Sequence, residues 1–153
     1  MNPMHIVRLN LAHDAQRILA IEQAAYRIEA ALIGFDDIPP LHDTLELLLE
    51  SGEAFYGCMI DSVLAGFVSC EVNENTVIIC RLGVHPDYFR RGAASSLLRY
   101  LEATAYPDLP RFIVSTGAKN LPARRLYEQF GFVVLNEYEI EPGLMMAFYE
   151  KWR

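Results

Sequence analysis

The stretch Val77-Ile-Ile-Cys-Arg-Leu-Gly-Val-His-Pro-Asp-Tyr-Phe-Arg-Arg-Gly-Ala-Ala-Ser-Ser-Leu-Leu98 passes from a strand, through a turn, into a helix. Val77, Ile78 and Ile79 are β-branched and favour extended backbone. Pro86 has no N–H to give and stops the ladder, and Asp87 is a turn former. From Arg91 to about Ala105 the residues suit a helix, with Ala94, Leu97, Leu98 and Leu101 recurring on one face. Gly92, Ala93 and Ala94 are small, so a ligand can approach the main chain closely. The first N–H groups of a helix lack internal partners and sit at the positive end of its dipole, a geometry that binds phosphate. Arg90 and Arg91 add two cations at that place, and Ser95 adds a hydroxyl. Gly92 lacks the other glycines of a dinucleotide fingerprint, and no Gly-Lys-Ser/Thr follows as a Walker loop requires.

On the N-terminal side, Met4 to Leu11 reads as a strand. His13-Asp14 offers a cap for a helix from Ala15 to about Tyr26. Arg27 to Leu41 is ambiguous: Ile28 to Leu32 extends the helix, while Gly34, Pro39 and Pro40 break it. Asp43-x-x-Glu46 resembles a capping box before a short helix ending near Gly52. Strands follow at Ala54–Ile60, Leu64–Val72 and Thr76–Val84, joined by the polar turns Asp61-Ser62 and Asn73-Glu74-Asn75, which implies an antiparallel meander. On the C-terminal side, Arg111–Thr116 is an apolar strand reached by a helical crossover, so it lies parallel to the strand before that helix. Asn120-Leu-Pro-Ala-Arg-Arg-Leu-Tyr-Glu-Gln-Phe-Gly-Phe132 is a capped helix: Asn120 opens it, Pro122 fits its first turn and Gly131 closes it in a left-handed cap. Phe132–Ile140 and Leu144–Trp152 form a closing strand pair. The fold class is α/β: one domain over residues 1–153, a mixed sheet in the order β-α-α-β-β-β-α-β-α-β-β.

Phe89-Arg90-Arg91-Gly92-Ala93-Ala94 resembles the pyrophosphate loop of the GNAT superfamily of N-acetyltransferases, Gln/Arg-x-x-Gly-x-Gly/Ala. Only the first position, Phe89, departs; the main-chain donors do not depend on it. Asn120 to Phe132 resembles that family's second signature, Asn-x-x-Ala-x-x-Leu-Tyr-x-x-x-Gly-Phe. The element order is also similar to the family's.

The resemblance implies acetyl-CoA as co-substrate and a splayed central strand pair. The main chain of Leu82, Gly83 and Val84 then pairs with the pantetheine arm, with Gly83 suited to a bulge. The N–H groups from Arg90 to Ser95 meet the pyrophosphate, assisted by the Arg90 and Arg91 side chains. Asn120 contacts the cofactor arm, caps its own helix, or does both. Tyr127 matches the family's general acid; its hydroxyl, with an ordinary pKa near ~10, can deliver a proton to a departing thiolate. A main-chain N–H near Val84 is the implied oxyanion donor. Many members carry a Glu on the strand before the loop, but Ile78, Ile79, Cys80 and Arg81 occupy that region here. Glu71, on the neighbouring strand, is the replacement base, acting through water; its other reading is a solvated strand residue. Glu22, Tyr26 and Glu29 are weaker candidates for binding a substrate ammonium. His85 reads as structural, and Arg81 reads either toward an acceptor carboxylate or toward a salt bridge with Glu71.

Composition sets the outer limits. The 153 residues are 52% hydrophobic and 22% charged, the balance of a globular chain. A formal charge of −7 disfavours nucleic acid and mildly favours a cationic amine. No apolar run is long enough to span a bilayer, and no secretory signal is visible at Met1-Asn-Pro-Met-His. Cys58, Cys70 and Cys80 read as reduced, buried thiols of a cytoplasmic protein, and their spacing does not suit a metal. The expected acceptor is a small-molecule or peptide amine, and an exposed strand edge or the C-terminal pair offers a surface for a homodimer.

Overall fold

The computed structural model describes residues 4–33 and 44–153. Seven strands form one sheet: β1 (Met4–Arg8), β2 (Ala54–Ile60), β3 (Val63–Asn73), β4 (Thr76–Val84), β5 (Arg111–Gly117), β6 (Val133–Glu141) and β7 (Leu144–Trp152). Their spatial order is β1-β2-β3-β4-β5-β7-β6. The helices are α1 (Leu11–Ile33), α2 (Leu45–Leu49), α3 (Ala93–Tyr100) and α4 (Leu121–Gln129). α3 continues into a wider π-helical turn at Leu101–Ala105, closed by the Tyr106 N–H on the Leu101 carbonyl at 2.9 Å. The expected single-domain α/β fold and element order are those observed.

The helices pack on opposite faces of the sheet. α3 and α4 cover the face carrying Val68, Cys70, Ile79 and Phe112, where Leu97 and Leu101 are fully buried. α1 and α2 cover the other, where Ile18 and Leu48 meet Phe55 and Phe67. Each such buried aliphatic side chain contributes about 1.5–3 kcal/mol. Among the described residues, no helix is long and apolar enough to cross a membrane.

Several local expectations need correction. α1 begins at Leu11, capped by Asn10 rather than by His13-Asp14: the Asn10 Oδ1 accepts from the Ala12 N–H, and Asp14 returns a carboxylate oxygen to the Asn10 N–H, both at 2.9 Å. Residues 27–33 continue α1, and 34–43 fall outside the described residues. Thr44 caps α2, accepting from the Leu47 N–H at 3.2 Å; Asp43, read as the cap, lies outside the described residues. The bulge in β4 is not at Gly83, which pairs in register with Phe67. Ser69 pairs with Arg81 and Cys70 with Ile79, so Cys80 is the extra residue. Gly83 serves close packing instead: a Cβ there would lie 3.0 Å from the Phe67 ring. Cys80 is exposed, whereas Cys58 and Cys70 are buried; all three are free thiols.

β5 runs parallel to β4, as the crossover implied, but only Thr76, Val77 and Ile78 pair with it. Beyond Ile78 the two strands part. β4 stays with β3 as far as Val84, and β5 stays with β7 as far as Gly117. The bulge at Cys80 falls where the pairing ends, and a bulge bends and twists its strand. The result is a V-shaped opening in the middle of the sheet.

Candidate active site

That opening is a cleft of about 810 Å³, within the range of small-molecule sites. β4 gives one wall through Leu82, Gly83 and Val84, all of which line it. The Leu82 main chain faces the gap: Tyr26 Oη lies 3.3 Å from its N–H nitrogen and 3.4 Å from its carbonyl oxygen. A strand edge unpaired by β5 is thus presented to the cleft, with a hydroxyl from α1 engaging one of its residues.

The loop into α3 forms the mouth. Gly92 has φ +84°, a conformation that glycine adopts without steric cost, and no side chain caps the helix. The first N–H bonded within the helix is that of Ser96, to the Gly92 carbonyl at 3.0 Å, which leaves the amides of Ala93, Ala94 and Ser95 without helical partners. Those three residues, Gly92 and Arg90 line the cleft. Arg91 does not. Its guanidinium sits 5.4 Å above the Tyr88 ring, so the two adjacent arginines point to different surroundings. Ser96 also turns away, its hydroxyl 3.2 Å from Met4 Sδ.

α4 supplies the opposite wall. Asn120 is buried, lines the cleft and caps α4 through Oδ1 on the Ala123 N–H at 3.2 Å, so capping and a cleft position coexist in one residue. The C-terminus closes as expected, with Gly131 N–H on the Glu128 carbonyl and Phe132 N–H on the Tyr127 carbonyl, both at 3.0 Å. Tyr127 is 5% exposed and lines the cleft, its ring packed between Phe132 and Tyr149. Arg124 fastens this helix. It donates to Tyr149 Oη at 2.8 Å, to the Ala118 carbonyl at 2.9 Å and to both oxygens of Glu137 at 3.0 and 3.2 Å. Tyr149 Oη in turn donates to Glu128.

The acid–base candidates are less well assembled. Glu71 lies outside the cleft lining, exposed near the end of β3. Its carboxylate, that of Glu53 and the Cys80 thiol lie within 4.8 Å of one another, a spacing that would suit a metal ion. Glu53, however, is already bound by Ser69 and Arg81. Arg81 bridges Glu53 and the fully buried Glu22, so its ion pairs run to these residues and not to Glu71. Among the described residues, no carboxylate lines the cleft. Glu29's side chain lies outside the described residues. His85 is structural, as read: its Nδ1 accepts from the Asp87 N–H at 3.1 Å. Among the lining residues that the sequence did not single out are Arg125 and Gln129. With Pro122 they recur at helical spacing along α4, a stripe that is legible once one residue of it is known to face a ligand.

A strand edge left open by a splay, next to unpartnered amides at a helix start, is the arrangement the sequence motifs implied. The model of the acetyltransferase (GNAT) family matches residues 15–132. The chain belongs to the GNAT acetyltransferase family. UPF0157 protein YqkA of Bacillus subtilis is 37% identical over 133 residues, covering 87% of this chain. The chain spans 38% of that relative's length. Among solved GNAT structures, the PaiA N-acetyltransferase of Thermoplasma acidophilum, in complex with coenzyme A, superposes with a TM-score of 0.78 at 17% identity, covering 99% of both chains. The ribosomal-protein-S18-alanine N-acetyltransferase of Escherichia coli gives 0.79 at 18% identity, covering 98% of this chain and 94% of its own. At these identities the likeness shows the shared fold.

Proposed function

We propose that this chain transfers an acetyl group from acetyl-CoA to a primary amine by direct attack. The observation that supports it most is the open Leu82–Val84 edge leading from the amides of Gly92–Ser95 inward to Tyr127. The residues present fit the donor: the amides and Arg90 for the pyrophosphate, the β4 edge for the pantetheine amides, and Asn120 for the arm between them. The amine nitrogen attacks the acetyl carbonyl carbon, and the carbonyl oxygen becomes an oxyanion held by a main-chain N–H near Val84. As the C–S bond breaks, Tyr127 gives its proton to the leaving thiolate and is re-protonated from solvent. The acceptor's own proton goes to water, because no carboxylate among the described residues lines the cleft. Glu71 keeps a role only through a water chain past Cys80. α1 and the β6–β7 hairpin add Tyr26, Ile28, Ile140, Leu144 and Met146 to the cleft lining, a surface that suits an acceptor with an apolar body.

That no carboxylate among the described residues lines the cleft is also the observation that favours a second reading, a non-catalytic acyl-CoA-binding module. Release of free CoA thiol with a panel of alkylamines, polyamines, amino acids and amino-terminal peptides separates the two. The enzyme reading expects thiol release that depends on an acceptor, and a Tyr127→Phe variant with kcat lowered by about a hundredfold or more while acetyl-CoA affinity stays unchanged. Acetyl-CoA binding without turnover on any amine or peptide would move the assignment to the binding module.

A further inference from the structure

The basic side chains of this acidic protein are mostly engaged. Arg17, Arg81, Arg111, Arg124 and Lys151 hold carboxylates. Arg8, Arg91, Arg99 and Arg153 lie over aromatic rings. Among the described residues, Arg27, Arg90, Lys119 and Arg125 have neither kind of partner, and of these four only Arg90 and Arg125 line the cleft. They come from separate elements, the loop before α3 and the outer stripe of α4. Two cations left without counter-charges in one cleft, in a chain of net charge −7, are placed for anions from outside.

The donor proposed above carries its phosphates in two groups, a pyrophosphate and a monoester on the ribose. The pyrophosphate is accounted for by Gly92–Ser95 and Arg90. The arm runs inward from there along β4, so the adenosine end lies outward, at the mouth. On α4, Tyr127 is buried and faces the inner cleft, whereas Arg125 and Gln129 are exposed on the same helix nearer solvent. The planar guanidinium fork matches a phosphate monoester, which carries close to two charges at neutral pH.

We propose that Arg125 binds the ribose 3′-phosphate of the donor, with Gln129 beside it, and so selects free CoA thioesters over donors that end at a single phosphate. This inference rests on the acetyl-CoA reading and deepens it. A donor presented on a carrier protein through phosphopantetheine has no such monoester and gains nothing from Arg125.

Calorimetric titration with acetyl-CoA and acetyl-dephospho-CoA tests it. The wild type is expected to bind acetyl-CoA about five- to tenfold more tightly, the effect of one partly solvated charge-assisted pair. Arg125→Gln should abolish that difference while leaving the affinity for acetyl-dephospho-CoA unchanged, which also shows the variant to be folded. Arg125→Lys should restore part of it, since the charge remains and the fork is lost. Lys119→Gln, which removes an unpaired cation outside the cleft, should keep it in full. Equal affinity for the two ligands in the wild type, or a difference that survives Arg125→Gln, overturns the assignment and leaves the donor reading standing. Failure of both ligands to bind the wild type overturns the donor reading together with it.

Discussion

Cys80 is the extra residue of the β4 bulge and lines the cleft, and its surroundings disfavour the thiolate. Desolvation by the strand around it, then the carboxylates of Glu53 and Glu71, push its thiol up to about 12. The thiolate is the nucleophile, so at pH 8 Cys80 should alkylate with iodoacetamide roughly a hundredfold or more slowly than an unperturbed thiol. Peptide mass spectrometry reads the rate, and Glu71→Gln should increase it. A wild-type rate equal to that of a free thiol would show that those carboxylates do not act on it. The same neighbourhood shows which single residues the sequence reveals. Asn120 and Gly131 were legible because each meets a backbone demand tied to one residue type at a fixed place, a cap and a helix end. Gly92 was legible by its smallness at the loop, its left-handed backbone being seen only in the structure. Glu71 and Arg91 were not, because the residue type says nothing of where a long side chain points. Arg91 lies over Tyr88, and Glu71 lies with Glu53 and Cys80.

Among the elements, α4 holds Tyr127 in place through contacts that are not its own. Arg124 ties it to the Ala118 carbonyl before the helix, to Glu137 on β6 and to Tyr149 on β7, and the Tyr149 ring packs against that of Tyr127. Arg124→Ala should cost about 2 kcal/mol, or roughly 4–8 °C in Tm, because the buried Tyr149 hydroxyl and a carbonyl lose their donor. Thermal denaturation checks this, and an unchanged Tm would contradict it. Hydrogen bonding to Arg124 holds the Glu137 carboxyl below its ordinary range. A depressed carboxylate contributes stability that is present above its unfolded pKa and is lost as pH falls through the folded value. Melting curves below about pH 5 should therefore converge for wild type and Glu137→Gln, with the variant lower above it. The elements themselves were largely readable from period and caps. The bulge was displaced to Gly83 in the sequence reading because register belongs to a strand pair: the skipped residue is set by where Ser69 and Cys70 meet Arg81 and Ile79.

At the scale of the molecule, the β2–β3–β4 meander and the parallel β4–β5 pair followed from short turns and a helical crossover, both local signals. The placing of β1 beside β2 and of β7 between β5 and β6 joins segments far apart in the chain and was not legible. What the sheet order produces is not local: a parallel pair of three residues that opens into a cleft between two continuous antiparallel halves. The side proposed for the acceptor was the least legible part because its lining comes from α1, β4 and the β6–β7 hairpin, which are far apart in the chain. The central claim is that the α3 start and the open β4 edge together bind the acetyl donor. Calorimetric titration of acetyl-CoA into wild type and Gly92→Glu tests it most directly. A Cβ at Gly92 meets nothing within 4 Å, so the packed interior around this surface residue should tolerate the change. Glutamate there strains the left-handed turn and sets a carboxylate against the pyrophosphate. The account predicts saturable, one-to-one binding by the wild type and at least a tenfold loss in a variant that still unfolds cooperatively. Equal binding by the two proteins would place the donor elsewhere and contradict it.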